Sequence, residues 1–197
     1  KIMTKPRQWC FVLRSKILLA LILGGTFQIA LAQEYVWAPD FSVGLSIPEI
    51  SAEDQNGILR TFDDLKGEKG LLFMLSRSFD WWPFCKAQLV QLIEISGEFK
   101  AMGINVATMT YDSIDTLKIV EENQGIEFPL LHDEGITYVN ALGILNEDYD
   151  PGSRAYGVPH PGIFLLDPNG VIQAKFAEEG YRARPDFGDV FEAAANL

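Results

Sequence analysis

Cys85 is the side chain with the widest chemistry in this chain, because a thiolate is a strong nucleophile and a thiol is not. It closes the stretch Ser76-Arg77-Ser78-Phe79-Asp80-Trp81-Trp82-Pro83-Phe84-Cys85. That stretch follows an apolar run, Leu71 to Leu75, and precedes an amphipathic one reaching to about Met102, so the thiol falls at a strand-to-helix junction. A helix start offers unpaired N–H groups and a partial positive charge, which favour thiolate over thiol. Pro83 suits the first helical turn, where its missing N–H costs nothing. The alternative is a small buried hydrophobe, since free cysteine is among the most buried residue types.

Other candidates surround it in the sequence. Arg77 and Arg154 are the cations available to stabilise a thiolate or a bound oxygen anion, with a solvated side chain as the alternative for each. Trp81, Trp82 and Phe84 form either core or an apolar lip around the thiol that binds a substrate or partner; a lip is the expectation. His132 beside Asp133 reads as structural or solvent-facing, and His160 lies between Pro159 and Pro161. With two histidines and two cysteines in the whole chain and no clustered ligand spacing, no metal site is expected.

These residues must be held by neighbouring elements. Leu71 to Leu75 is apolar on consecutive positions, which suits a central strand covered on both faces. Leu89, Leu92, Ile93, Ile95 and Phe99 recur near the helical period and predict a helix ending at Gly103. Ahead of the strand, Gln55-Asn56-Gly57 predicts a hairpin turn with Ile58-Leu59-Arg60 returning, and Thr61 caps a short helical turn from Phe62 to Leu65. Beyond the helix, Ile104 to Thr110 predicts a buried strand, and Ser113 caps a helix running to Gly125. Phe128 to Leu131 is a short extended segment, and Ile136 to Leu142 a short helix. The loop from Asn146 to Pro159 is expected at the active end of the sheet. Ile163 to Leu166 is a strand, Asp167-Pro168-Asn169-Gly170 a turn that returns Val171 to Phe176 antiparallel, and Phe187, Val190 and Phe191 mark a closing helix.

At the Cys85 stretch the sequence resembles thioredoxin-fold proteins of the alkyl hydroperoxide reductase and thiol-specific antioxidant (AhpC/TSA) type, whose relatives often carry Asp-Trp-Cys-Pro-Tyr-Cys-Lys there. The resemblance covers roughly residues 40 to 195 and continues through Tyr156-Gly157-Val158-Pro159-His160-Pro161-Gly162-Ile163-Phe164-Leu165-Leu166-Asp167. It implies an α/β, thioredoxin-like fold, with a central mixed sheet flanked by helices. Trp82 stands where a dithiol relative has its first cysteine. In peroxiredoxins the reactive cysteine follows a Thr or Ser by three positions and a Pro by seven; here those positions hold Trp82 and Ser78. The resemblance further implies a cis peptide at Pro161, which would place Pro161 beside the thiol and turn His160 toward Cys85.

Composition narrows the class. The 197 residues are 48% apolar and 22% charged, an ordinary globular balance. The first 32 residues hold five of the 16 basic side chains and none of the 27 acidic ones, which leaves the remainder at −16. That field repels phosphate backbones and anionic lipid, and no basic patch opposes it, so no nucleic-acid partner is expected. Basic residues up to Lys16, the apolar run Ile17 to Leu23 and the small residues of Ala30-Leu31-Ala32 read as a secretory signal peptide over 1–32, ahead of a domain over 33–197. A membrane anchor is the alternative, with no stable span expected after cleavage. Removal of Cys10 with the signal leaves Cys85 unable to form an internal disulfide.

The combined expectation is an exported protein, periplasmic or extracellular, acting as a one-cysteine thiol reductant of peroxides. Cys85 is the nucleophile, and His160 and Arg77 assist it. Trp81, Trp82, Phe84 and Pro161 line the substrate position, an external thiol restores the enzyme, and no dissociable cofactor is implied. The competing expectation is a binding module that kept the fold and uses the Trp81, Trp82 and Phe84 surface to hold a protein or peptide.

Overall fold

The computed structural model describes residues 35–180 and 182–197; the expected leader with Cys10 and its cleavage after Ala32 lie outside them. Residues Tyr35–Leu197 form one compact unit. Its centre is a five-stranded sheet in the order β5-β4-β3-β6-β7, built from β3 (Gly70–Leu75), β4 (Ile104–Thr110), β5 (Leu130–His132), β6 (Gly162–Leu166) and β7 (Ile172–Phe176). β3 runs parallel to β4 and antiparallel to β6, β4 is parallel to β5, and β6 is antiparallel to β7. A separate hairpin pairs β1 (Ser51–Glu53) with β2 (Leu59–Thr61) across the expected Asn56-Gly57 turn.

Side-chain alternation sorts the sheet into two apolar layers. Leu72 and Met74 of β3 join Leu89, Leu92 and Phe99 of helix α2 (Pro83–Ala101), Leu117 of α3 (Ile114–Gln124) and Val190 of α5 (Phe187–Ala194). Leu71, Phe73 and Leu75 join Trp37, Ala52, Leu65 of α1 (Phe62–Leu65) and Tyr138 and Val139 of α4 (Thr137–Ala141). Every residue of β3 is buried, as its uninterrupted apolar sequence requires. Gly70 starts it at φ +136, where an added Cβ would stand 1.9 Å from the Leu166 carbonyl oxygen, so only glycine allows β3 to approach β6 here.

Several helix ends follow their sequence signals. Thr61 and Asp64 complete a capping box for α1, Ser113 accepts the Thr116 N–H at the start of α3, and Gly125 ends α3 in a left-handed conformation. The helix expected from Ile136 begins instead at Thr137, after a 3-10 turn over Glu134–Ile136 in which Ile136 has φ +54. The cause is Asp133, whose carboxylate accepts the Tyr138 and Val139 N–H groups at 2.9 and 3.0 Å and fixes where α4 starts. Among the described residues no helix is long and apolar enough to cross a membrane.

Candidate active site

The site is built where β3 and β4 end. Ser76 extends the sheet through its N–H to the Met109 carbonyl, and the chain then crosses to α2 through Arg77, Ser78 and Phe79, all buried. Pro83 takes the first turn of α2, and the Trp82 carbonyl accepts the N–H groups of Cys85 and Lys86, both at 3.1 Å. Cys85 therefore sits in the first turn, fully buried and with a free thiol.

Two donors meet its sulfur. The backbone N–H of Arg77 donates to Cys85 Sγ at 3.4 Å, and Nη2 of Arg184 donates to it at 3.2 Å. Both place positive charge where a thiolate carries negative charge. Sequence reasoning passed over Arg184, which lies just before Pro185 and Asp186 in the segment leading into α5. α5 packs on α2, with Phe191 and Phe99 in edge-to-face contact at 5.5 Å, and Pro185 and Phe187 share a groove with Gln91 and Ile95 of α2. That docking carries Arg184 to the sulfur.

Arg77, for which a solvated side chain was the alternative, is entirely buried. Its Nε donates to the Pro159 carbonyl and its Nη1 to the Tyr149 hydroxyl, each at 3.2 Å, while its guanidinium lies 4.6 Å from the Trp82 ring centre and 5.6 Å from that of Tyr149. Carbonyl, hydroxyl and ring faces together replace the water a buried cation loses. The Asn146–Pro159 loop thus contributes to the site through Tyr149 and Pro159. Arg154 is exposed, paired with Asp80 at 2.6 Å and stacked on Trp81 at 5.0 Å.

The expected cis peptide at Pro161 is corrected: no peptide bond among the described residues is cis, and His160–Pro161 is trans. Pro161 is buried one residue before Gly162, which pairs with Leu75. His160 is half-buried; its N–H donates to the Ile144 carbonyl at 2.7 Å, its carbonyl accepts the Trp37 indole N–H at 2.8 Å, and its ring lies edge-on to Tyr35. Trans is the ordinary form of an X–Pro bond, and here it occurs with the His160 N–H and carbonyl both engaged. Burial, followed by the positive charge of Arg77, holds the imidazole below its ordinary pKa, and Asp148 opposes this. His160 therefore stands beside the buried arginine as a neutral ring.

Trp81 and Trp82 are half-buried and meet edge-on at 4.9 Å just before α2, and Phe84, in its first turn, is 40% exposed. Trp82 also packs on the α2-side core, and the Trp81 indole donates to the Tyr111 hydroxyl at 2.9 Å.

Beneath the loop lies a carboxylate. Asp112, just past β4, accepts the Ser78 hydroxyl and the Phe79 N–H, both at 2.7 Å, and the Thr110 hydroxyl at 3.0 Å. Ser78 Oγ in turn accepts the N–H groups of Asp80 and Trp81. His132 Nδ1 meets the Asp112 carbonyl at 2.9 Å, which gives it a structural place. Among the described residues no group of three or more His, Cys, Asp or Glu is arranged to hold a metal ion.

The AhpC/TSA family matches residues 43–175. The chain belongs to the AhpC/TSA family. Similar sequences include Peroxiredoxin 1 of Sulfuracidifex metallicus, 29% identical over 132 residues, covering 64% of this chain and 58% of that protein. The putative peroxiredoxin bcp of Coxiella burnetii is 25% identical, covering 67% of this chain and 85% of its own length. Among solved structures, a thiol peroxidase from Chromobacterium violaceum superposes with a TM-score of 0.66 at 18% identity, covering 80% of this chain and 88% of its own. Peroxidoxin BcpB from Mycobacterium tuberculosis gives 0.65 at 16% identity, covering 79% and 95%. These likenesses show the thioredoxin-like fold. Against the peroxiredoxin pattern, this AhpC/TSA chain has an indole at Trp82 in place of a hydroxyl. The nearby hydroxyl of Ser78 is already engaged by Asp112 and two backbone N–H groups.

Proposed function

We propose that this AhpC/TSA protein is an exported peroxiredoxin-like thiol peroxidase that works through Cys85 alone. The observation that carries the reading is the convergence of the Arg77 N–H and the Arg184 guanidinium on a sulfur in the first turn of α2. The peroxiredoxin names of the relatives agree with it. The Cys85 thiolate attacks one peroxide oxygen, the O–O bond breaks, and the departing alkoxide or hydroxide takes a proton; the sulfur is left as sulfenic acid. An external thiol then displaces water to form a mixed disulfide, and a second thiol releases Cys85 and leaves as the oxidised partner. With Trp82 in place of a hydroxyl, charge on the attacking sulfur and the leaving oxygen falls to the Arg77 N–H and Arg184. The leader pattern over 1–32 supports export to the periplasm or outside the cell.

The test is hydrogen peroxide consumption by the purified protein with dithiothreitol as reductant, beside Cys85→Ser. Turnover that disappears in the variant supports the reading. A rate in the native protein equal to that of Cys85→Ser removes it. The second reading, a binding module using Trp81, Trp82 and Phe84, is favoured by the complete burial of Cys85, and that same equality would leave it standing.

A further inference from the structure

We infer that Asp112 and Ser78 form a latch whose job is to position the Arg77 N–H and the first turn of α2 against Cys85 Sγ, making both residues positioning residues for the reactive thiol. The inference deepens the thiol-peroxidase reading and rests on it for its effect on turnover. The loop has seven residues between the end of β3 at Leu75 and Pro83 and holds one of its own N–H groups on a sulfur. Past Ser76 the chain leaves the strand, and side-chain bonds from the neighbouring strand end help to fix its path.

Asp112 supplies that fixture from the neighbouring strand end. One carboxylate oxygen accepts the Ser78 hydroxyl at 2.7 Å; the other accepts the Phe79 N–H at 2.7 Å and the Thr110 hydroxyl at 3.0 Å. The Thr110 bond, with the Asp112 N–H donating back to Thr110 Oγ1 at 3.1 Å, aims the carboxylate at the loop. Ser78 passes the constraint forward, because its oxygen also accepts the Asp80 and Trp81 N–H groups, the last two before Trp82 begins to cap α2. It passes the constraint backward through one peptide, since the neighbouring N–H is the Arg77 donor to Sγ. Both ends of the contact between loop and sulfur are thus set by one buried hydroxyl-carboxylate pair.

Burial is the cost of this arrangement. Asp112 is 7% exposed, and desolvation holds its carboxyl above the usual carboxylate range, against the Ser78, Phe79 and Thr110 hydrogen bonds, which lower it. A carboxylate kept in so dry a place, with three loop and strand donors on it, fits a demand for fixed geometry. Donors fixed at the sulfur favour the thiolate, which is the nucleophilic form, without reorganising.

The test is single-turnover oxidation of Cys85 by hydrogen peroxide, followed by intact mass, in the native protein, Ser78→Ala, Asp112→Asn, the double variant and Ser78→Thr. Loss of one such bond is expected to slow oxidation about fivefold in each single variant. The double variant is expected to be slowed by less than the product of the two single losses, because both remove the Ser78–Asp112 bond. Ser78→Thr, which keeps the hydroxyl, is expected to recover most of the rate, a rescue that a purely structural role would not produce. A Ser78→Ala rate equal to native, or strictly additive losses, overturns the latch whatever the melting temperatures do. A native rate no faster than that of free cysteine would instead overturn the peroxidase reading, and the cycle would still judge the latch.

Discussion

Arg184 Nη2 lies 3.2 Å from Cys85 Sγ although 99 positions separate the two residues. The contact joins the first turn of α2 to the segment entering α5, so the cation beside the sulfur depends on how the last helix docks. A guanidinium fits this place because it keeps its charge and spreads its donors in a plane.

Arg184→Ala is expected to slow Cys85 oxidation by about tenfold or more, the worth of one hydrogen bond to a charged group. Arg184→Lys should keep part of the rate. Stopped-flow peroxide oxidation measures both, and an unchanged rate in Arg184→Ala would take this residue out of the site.

His160 sets a pH dependence of stability. Burial and then Arg77 depress its pKa, so as pH falls below about 6.5 the unfolded chain binds a proton that the folded chain resists. The stability tied to the neutral ring is present above that pH and is lost as pH falls through the folded value. Asp112 and Asp133, raised by burial, act in the opposite direction at lower pH, so the comparison must be with His160→Gln. Between about pH 7.5 and 5.5, a range that straddles the ordinary histidine value, the native melting temperature should fall more than that of the variant. Parallel curves would contradict this.

What was legible in the sequence was what is local. The Asn56-Gly57 hairpin, the Thr61 and Ser113 caps and the Gly125 stop are each written within a few residues and appear as read. The uninterrupted apolar run of β3 announced a strand covered on both faces. What escaped depends on partners far along the chain. Arg184 has no pattern around it that names Cys85, and Arg77 looks like any loop cation until Pro159, Tyr149 and Trp82 close around it. The peptide before Pro161 is trans, with His160 bonded to Ile144 and Trp37, neither partner visible in a His-Pro dipeptide. Trp37 itself, ahead of the first hairpin, is 5% exposed and stacks on Phe164 at 4.5 Å.

Gly162→Ala tests that packing. An added Cβ would stand 2.5 Å from the Trp37 ring, which cannot retreat without losing its bond to the His160 carbonyl. Destabilisation of about 1–3 kcal/mol is expected, in the range of an overpacked core. Denaturant unfolding measures it, and a neutral result would mean that Trp37 moves freely.

Trp82→Cys should create a Cys-Pro-Phe-Cys pair able to close a disulfide, since residues flanking two positions at a helix start lie within bridging distance. Because Trp82 packs partly on the core and under the Arg77 guanidinium, the reduced variant should lose about 2 kcal/mol. Thiol counting after mild oxidation checks the bridge. Two thiols that stay free would place residues 82 and 85 too far apart for this helix start.

The central place of β3 has a consequence for how the molecule ages and unfolds. A strand paired on both edges and covered on both faces holds the amide hydrogens that exchange only when the whole domain opens. Ser76 and Arg77 follow it without a break, so the donor on the sulfur is tethered to the last part of the fold to let go. Under rising denaturant, Cys85 reactivity and the slowest-exchanging amides should therefore change together, and the thiol environment should persist until the domain itself is lost.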